Sequence, residues 1–346
     1  MTYFRHLVAI LAAALIAGAC AQSEIPAAAP PGAQAMVLSY GYAPGQELAY
    51  GVTMNVDMAA DVDSGFGTES VAGSMSMDAG FRYLVGEGPT ADTTEITVKV
   101  DLNDFSVSGF GVDGLDDVSM EDLGMSVDDY LPEVSVVLDR SGNTVSVTAG
   151  GAQLPTDLFG GDLTGLAGAG TTSQMFGPAF PDQELFVGAK WSDSQTSTIP
   201  FFGEWTIESD HEVTRQEQRD GHNTWVIQSK TKMPALSMDM QDMIDAMFDL
   251  DDEALAGLGM NANDIGLMKA EFRMMERDGF GMDFTMKPQD VTGVTWFDID
   301  TGVMVANSTA MDIEMTAKFS GDGMDGAMDM TMGMTMSMVL DEAEPA

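Results

Sequence analysis

Residues 327–339 read AMDMTMGMTMSMV, so that every second residue from Met328 to Met338 is a methionine. Successive side chains of a β-strand point to opposite faces of a sheet, which places these methionines on one face and the intervening polar residues on the other. The stretch therefore predicts a long β-strand with one apolar face. We interpret the rest of the chain around that face.

The residues before this strand alternate in the same way. From Met311 to Phe319 apolar residues take every second position, and segment 321–326, with its glycines, separates the two runs. Together the runs predict a long antiparallel hairpin. Similar alternation predicts further strands at 48–58, 71–85, 96–102, 204–213 and 224–233. Clean alternation is typical of antiparallel sheets with one wet face, so we predict a mainly β fold: a large antiparallel sheet, curved or rolled into a half-barrel.

The order of these patterns predicts two tandem β-units, 37–186 and 187–340. Each unit has an opening strand, a long hairpin, and a second hairpin whose turn carries Asp and Gly, at 139–143 and at 300–302. No run of residues is itself repeated. The last residues, 341–346, are polar, and we expect them to form a loose tail.

One stretch of the second unit follows a helical period instead. In the insert 237–258, Met240, Met243 and Met247 recur at three- and four-residue spacings, with aspartates largely on the opposite side. This pattern predicts an amphipathic helix. We expect it to pack on the apolar face of the sheet.

The N-terminus carries a targeting signal. Residues 1–19 contain a basic start and an apolar run too short to span a membrane, which is typical of a secretory signal peptide. The run ends in LIAGAC, which resembles a lipobox, so Cys20 is the predicted lipid-attachment residue; ordinary cleavage with a free thiol is the alternative. The Pro/Ala-rich segment 20–36 predicts a tether. We therefore predict a lipoprotein anchored in the outer membrane, facing the periplasm or the exterior, with a soluble secreted protein as the alternative.

The charge of the chain is strongly negative. Fourteen Lys and Arg stand against 55 Asp and Glu, giving a formal net charge of −41. Such a surface repels nucleic acid and anionic lipid headgroups, which excludes both as direct partners. Segments 101–104 and 249–252 are rich in carboxylates but lack the glycine and closing glutamate of a calcium loop, so the acidity is read as solvation.

Methionine is unusually abundant, with 30 in the chain. Three interpretations remain open: packing of an ordinary core, an apolar lining that adapts to a ligand, or a soft-metal site in which M-x-M thioethers bind Cu(I). Under the second interpretation the candidate lining residues are Met240, Met243, Met247, Met330, Met332, Met334 and Met336. We expect the ligand to be a lipid or another molecule with an acyl chain.

Sequence motifs for catalysis are missing. The chain has no G-x-S-x-G, no H-E-x-x-H and no phosphate-binding glycine loop, so we expect a non-catalytic protein without a cofactor. His211 and His222 lie on the order of 27 Å apart along the predicted strand and are not expected to share a metal. We expect His222 to be an exposed turn residue.

Short motifs spread along the chain carry a resemblance. Cys20, then Gly188 with Trp191 and Ser192, then Phe297 and Asp298 with Thr301 and Gly302, resemble a family of uncharacterised bacterial envelope lipoproteins. The resemblance implies a location and no activity. The overall pattern is also similar to the half-barrel of lipoprotein carriers, in which the space between sheet and helices holds acyl chains; the insert 237–258 would then be a lid. A purely structural role in the envelope, or metal binding by methionines or carboxylates, is the alternative to ligand binding.

Overall fold

The computed structural model of the chain describes residues 29–30, 32–63, 68–109, 134–149, 152–153, 176–199, 203–239, 281–289, 291–321 and 324–344. The elements bounded within these ranges are all strands. They are β1 (Met36–Val37), β2 (Glu47–Asp63), β3 (Thr68–Glu87), β4 (Thr93–Ser108), β5 (Val134–Asp139), β6 (Thr144–Ala149), β7 (Ala152–Gln153), β8 (Glu184–Leu185), β9 (Lys190–Ile199), β10 (Gly203–Arg219), β11 (His222–Lys232), β12 (Leu236–Asp239), β13 (Gly281–Pro288), β14 (Val291–Asp298), β15 (Val303–Gly321) and β16 (Met324–Glu344).

Nearly all of these strands belong to one sheet. It has 14 strands, in the order β7-β6-β5-β4-β3-β2-β16-β15-β14-β11-β10-β9, and β13 pairs with both β15 and β12. The pairings are antiparallel, which confirms a mainly β fold with a large antiparallel sheet. The sheet is open, because β7 and β9 at its two ends do not pair with each other. Strands of both predicted units lie in this sheet, and the division at 186/187 stays a prediction.

The hairpin predicted from the methionine run lies at the centre of the sheet. Its strands pair without interruption from Ala306 opposite Val339 to Gly321 opposite Met324. On its other side β16 pairs with β2, with Met334 opposite Val56. Three neighbouring strands therefore share one register of apolar residues.

Two expectations about chain ends are corrected. The tail was expected to be loose from 341, but β16 continues to Glu344, which lies opposite Glu47 at the start of β2. The exposed backbone of β2 provides hydrogen-bond partners there, and polar side chains do not prevent such pairing. At the other end of the chain, the predicted tether is not free of structure throughout: Met36 pairs with Leu185, and Ala29 packs against the core.

The predicted helix 237–258 is corrected where the structure describes it. Residues 237–239 lie in β12, in which Leu236 is opposite Met286 of β13. Leu236 is buried in a cluster with Met286 and Met315. Strand β13 pairs with β15 along one edge, and its other edge offers backbone hydrogen bonds to residues 236–239. Packing of Leu236 and pairing with β13 therefore favour a strand here, although the sequence has a helical period. Residues 240–258, with Met240, Met243 and Met247, lie outside the described residues.

Aromatic side chains form a core against one end of the sheet. The segment that follows β1 crosses this core. In this segment Tyr40 N donates to the carbonyl of Arg140 at 2.9 Å, and Gly41 N donates to the carbonyl of Gly302 at 2.8 Å. The ring of Tyr40 stacks on Tyr42 with centroids 5.5 Å apart and contacts Phe297 edge-on. Burial raises the pKa of Tyr40 well above its usual range, so the core holds neutral phenols.

The two Asp-Gly turns have matching hydrogen bonds. In the first, Asp139 Oδ1 accepts from the backbone N–H groups of Ser141 and Asn143, and Gly142 N donates to the Asp139 carbonyl at 3.0 Å. In the second, Asp298 Oδ1 accepts from Asp300 N, and Gly302 N donates to the Asp298 carbonyl at 2.8 Å. In both turns an aspartate accepts these bonds and a glycine N–H donates back to it, over three residues in the first turn and over four in the second. The predicted repeat of two units stays a prediction.

Candidate functional site

The methionines of the central strands lie in rows across the sheet. Met336 is opposite Met54 of β2, and Met54 is in turn opposite Met77 of β3. One row further along, Met334 lies between Val56 and Met311. Direct cross-strand partners point to the same side of a sheet, so these side chains share one face. We name this surface the methionine face and define it as Met54, Met58, Met75, Met77, Met311, Met330, Met332, Met334 and Met336.

The side chains of the methionine face are only half-buried, whereas other methionines of the same sheet are enclosed. Met304 and Met338, which face the aromatic core, are 0% and 1% exposed. Met338 also accepts a hydrogen bond from the hydroxyl of Tyr83 at 3.7 Å. The same residue type therefore serves as sealed core at the aromatic end and as partly open apolar surface on the methionine face.

The row that begins with Met77, Met54 and Met336 changes character on the far side of β16. It continues through Thr309 of β15, Gly293 of β14, Ser229 of β11, His211 of β10 and Trp191 of β9. Along this row, the side chains are thus apolar from β3 to β16 and mostly polar from β15 to β10. We name the polar side the polar sector; it comprises Asp193, Ser209, His211, Ser229, Thr231, Thr295, Asn307 and Thr309.

His211 lies at the centre of a hydrogen-bonded chain within the polar sector. Its Nε2 is 3.1 Å from Asp193 Oδ2, and its Nδ1 is 2.8 Å from Ser229 Oγ. The His211 side chain is 2% exposed and stacks on the ring of Trp191 at 4.9 Å. Because a carboxylate only accepts hydrogen bonds, Nε2 carries a proton, and in the neutral ring Nδ1 accepts from the Ser229 hydroxyl. This arrangement holds the imidazole in one orientation.

The polar sector is closely packed. Thr309 is 5% exposed. Beside it, a Cβ placed at Gly293 would meet the Thr309 Oγ1 at 3.7 Å and the Ser229 Cβ at 3.8 Å, which are ordinary van der Waals distances. Among the described residues, the buried side-chain atoms without a hydrogen-bond partner are Tyr42 Oη and Trp225 Nε1, which belong to the aromatic core.

The opposite face of the same strands is polar and strongly acidic. A groove of about 420 Å³ lies there, lined in part by Asp57, Asp312, Glu314 and Gly333. Gly333 lies directly between the two aspartates, on β2 and β15. Within the described ranges, no group of three or more His, Cys, Asp or Glu has the arrangement that a metal ion needs. The interpretation of this acidity as solvation stays a prediction.

The sequence predicted that four of the candidate lining residues share a face, and their role as a ligand lining stays a prediction. Met330, Met332, Met334 and Met336 are brought together on one face, and Met240, Met243 and Met247 lie outside the described residues.

His222 was expected to be exposed, but its side chain is half-buried. Its Nδ1 bonds Asp298 Oδ2 at 2.8 Å, and it lies outside the polar sector. The polar sector itself was missed because Ser, Thr and His within a strand resemble solvent-facing residues. The spacing of Ser209, His211 and Val213 on one side of β10 was the available signal.

Comparisons with known proteins do not show a family for the chain. No family model matches it, and no curated protein matches it. Solved structures with some likeness include lipovitellin, studied for its lipid-protein interactions, with a TM-score of 0.36, 9% identity and coverage of 88% of this chain and 26% of that one. The chain thus spans about a quarter of lipovitellin.

Two bacterial proteins also align. An outer membrane channel of Pseudomonas putida F1 has a TM-score of 0.20, 7% identity and coverage of 91% of this chain and 100% of that one. Pseudomonas aeruginosa OccK2 (OpdF) has a TM-score of 0.24, 6% identity and coverage of 86% and 100%. Scores this low support no argument, and function is argued below from the site alone. In the part of the chain that the structure describes, no helix has both the length and the apolarity to cross a membrane.

Proposed function

We propose that the protein is a non-catalytic component of the cell envelope that holds an acyl chain against its methionine face. One observation supports this most directly: methionines from four adjacent strands share a face and are half-buried, while Met304 and Met338 in the same sheet are sealed. Met311, Met330 and Met332 pack against the buried cluster around Ile313 and Met315 and still keep part of their surface open. Partly open apolar surface gains on the order of 25 cal/mol per Å² when a ligand covers it.

The chemistry of methionine suits such a ligand. Its side chain is unbranched and flexible, and its thioether is polarisable, so a set of methionines moulds to acyl chains of different length and kink. The rows of the sheet add direction, because Met330, Met332, Met334 and Met336 extend along one strand. An extended acyl chain lying along β16 contacts all of them.

Binding of a fluorescent acyl probe to the purified protein tests the proposal. Met334→Glu places a charge in the middle of the methionine face, and we expect it to abolish the rise in probe fluorescence. Thr335→Glu is the matched control, since Thr335 is the next residue, lies exposed on the opposite face and should leave binding unchanged. Met334→Leu keeps an apolar side chain of similar volume and should retain binding.

Circular dichroism of each variant establishes that the sheet has formed before binding is compared. Absence of probe binding to the wild-type protein overturns the proposal. Equal binding by the wild-type protein and a folded Met334→Glu variant also overturns it, because the ligand would then lie elsewhere.

A second candidate function is binding of a soft metal ion. Met77, Met54 and Met336 occupy one row on three adjacent strands, which brings three thioethers to neighbouring positions. Thioethers suit Cu(I). Replacing all three by leucine removes the sulfurs and keeps the apolar volume, so this variant separates the functions. Loss of Cu(I) in an anaerobic competition titration, with acyl binding retained, would favour the metal.

The proposed location rests on the N-terminal sequence. Cys20, in its lipobox-like context, would carry the lipid that anchors the protein in the outer membrane. Growth of producing cells with labelled palmitate should label the wild-type protein and leave Cys20→Ala unlabelled. A wild-type protein without label and with a free Cys20 thiol would favour the secreted, soluble alternative.

A further inference from the structure

We infer that the methionines around the smaller of the two core clusters form an oxidation site, and that their conversion to sulfoxides releases strand β12 from the sheet. The oxidant is a peroxide, and the targets are thioether sulfurs. This redox response goes beyond the proposed function and does not depend on acyl binding.

The smaller cluster depends on methionine. Within the described residues its buried side chains are Ile207, Leu236, Met286, Ile313 and Met315. The half-buried side chains packed around them are Met233, Phe284, Met311, Met330 and Met332. We name the four methionines of this second group the rim methionines. Each keeps part of its surface open, so a small oxidant approaches it while the sheet stays intact.

One row of cross-strand partners connects the rim to β12. Met330 of β16 is opposite Met315 of β15, which is in turn opposite Met286 of β13. Met286 is opposite Leu236 of β12. Direct partners share one face, so three thioether side chains lie in line between the open rim and Leu236. Met315 and Met286 are 7% and 5% exposed, and we expect them to be oxidised after Met330.

Strand β12 has a small attachment to the sheet. It has four residues, Leu236–Asp239, which pair with β13. Of the two side chains of β12 that the structure describes, Leu236 is buried in the smaller cluster and Ser237 is exposed. The apolar surroundings of Leu236 therefore stabilise the docked position of β12.

Oxidation makes these surroundings polar. The sulfur of a rim methionine attacks one oxygen of hydrogen peroxide, and the S–O bond forms as the O–O bond breaks. The proton on the attacked oxygen passes to the departing hydroxide, which leaves as water, so the sulfur loses two electrons and the peroxide gains them. A sulfoxide oxygen needs hydrogen-bond partners that an apolar cluster does not offer. An oxidised rim side chain therefore turns towards solvent, and Leu236 loses its apolar cover.

The aromatic core does not have this sensitivity. Its buried methionines, Met304 and Met338, are sealed, and its other buried side chains are aromatic or aliphatic. The chain has a single cysteine, Cys20, so no disulfide forms within it and methionine is the residue that responds to an oxidant. The response is thus confined to one corner of the sheet.

Hydrogen exchange before and after peroxide treatment tests this inference. The purified protein is treated with dilute hydrogen peroxide, and mass spectrometry of peptides measures both the sulfoxides and the exchange of backbone amides. Once the rim methionines are oxidised, the β12 amides should exchange at least about tenfold faster, while those of β5 in the aromatic core should not change. Methionine sulfoxide reductases of both stereospecificities, with dithiothreitol as reductant, should restore slow exchange.

Two sets of substitutions locate the response. Leucine at all four rim positions removes the sulfurs and keeps a similar apolar volume, so β12 should stay protected after peroxide treatment. The matched control has leucine at Met54, Met58, Met75 and Met77, which are also half-buried and are not among the described residues packed against the smaller cluster. It should respond like the wild-type protein.

Circular dichroism before treatment establishes that each variant has folded. If the fourfold rim variant does not fold, the double variant Met330→Leu, Met332→Leu takes its place and should release β12 more slowly than the wild-type protein does.

The possible outcomes decide the inference without reference to acyl binding. Unchanged β12 exchange with oxidised rim methionines overturns it, and so does equal acceleration in β5, which would mean general unfolding. Release of β12 in the rim variant at the wild-type rate would assign the response to other methionines. Failure of the reductases to restore protection would mean irreversible damage in place of a switch. The acyl-probe assay tests the proposed function separately.

Discussion

Met336 on β16 and Thr309 on β15 are direct cross-strand partners, and the border between the methionine face and the polar sector runs between them. Cross-strand partners normally match in polarity, because they share one environment on one face. A mismatch in the interior of a large sheet therefore marks a change of environment. Here the apolar environment belongs to the central strands, and the polar one belongs to β10, β11 and the strands beside them.

Thr309 gives a prediction about stability. Thr309→Val should change the free energy of unfolding by less than about 0.5 kcal/mol, because no hydrogen bond of the Thr309 hydroxyl is found among the described residues and its oxygen is not one of the buried atoms left without a partner. Thr231→Val is the control: this hydroxyl bonds Ser209 at 2.9 Å, and its loss should cost about 1 kcal/mol. Urea unfolding of both variants measures the difference. Equal destabilisation by both would mean that the Thr309 hydroxyl has a structural role.

Oxidation should distinguish the two populations of methionine. With dilute hydrogen peroxide, sulfoxides should form on the half-buried Met330, Met332 and Met334 before they form on Met304, which is 0% exposed. Mass spectrometry of proteolytic peptides over a time course gives the order. Acyl-probe binding should decline in step with oxidation of the methionine face, because the sulfoxide is polar. Simultaneous oxidation of Met304 would contradict the division into open and sealed ends.

The turn at Asp298 should be one of the more sensitive points of the fold. The Asp298 side chain is 3% exposed and accepts hydrogen bonds from Asp300 N and Thr301 Oγ1. Asp298→Ala should lower the free energy of unfolding by about 2–3 kcal/mol, since it leaves these donors and His222 without their acceptor. The exposed Asp300 is two residues away, and Asp300→Ala should change it by less than about 0.5 kcal/mol. Similar losses in the two variants would contradict the special role of Asp298.

The same carboxyl group gives a pH dependence. Burial alone would raise the pKa of Asp298, but hydrogen bonds from His222, Thr301 and the Asp300 backbone outweigh it and hold the pKa below the ordinary value of 3.8. A lowered folded-state pKa stabilises the fold above the unfolded pKa, and this stabilisation is lost as the pH falls through the folded value. The stability difference between the wild-type protein and Asp298→Asn should therefore be largest above about pH 4 and shrink below it. A difference that stays constant down to about pH 2 would contradict this.

The sequence predicted the sheet well because alternation is a local signal. Each strand near Met54 or Met334 alternates in its own residues, so strand character and the shared apolar face follow without knowledge of the partner strand. The central hairpin also follows, since its two runs are adjacent in the chain. Pairing of β16 with β2 does not follow from any local pattern, because Met334 and Val56 are far apart in sequence.

The parts that the sequence did not predict depend on distant contacts. The strand at Leu236–Asp239 forms against β13, and its residues alone favour the helical period. The polar sector depends on which face of β10 and β11 is covered, which hydroxyl residues such as Ser229 do not reveal. The partner of His222 is Asp298, on a strand whose sequence position gives no sign of their contact.

Gly302 and Gly221 provide the last prediction, because they share a backbone conformation and differ in surroundings. Both have a positive φ, +74° and +87°. A Cβ at Gly221 would meet nothing within 4 Å, whereas one at Gly302 would lie 2.6 Å from Gly41 N, in the segment that crosses the aromatic core. That segment bonds the Gly302 carbonyl through Gly41 N, so it cannot move away without losing a hydrogen bond.

Gly221→Ala should therefore cost about 1–2 kcal/mol of unfolding free energy from its backbone alone, and Gly302→Ala at least about 1 kcal/mol more. Urea unfolding, followed by tryptophan fluorescence, measures both variants under the same conditions. The fluorescence also reports on Trp191, whose Nε1 donates to the carbonyl of Ala179 near this segment. Equal costs would mean that the segment around Gly41 moves to accommodate the added methyl group. Its contact with Gly302 would then not be needed for stable packing of the aromatic core.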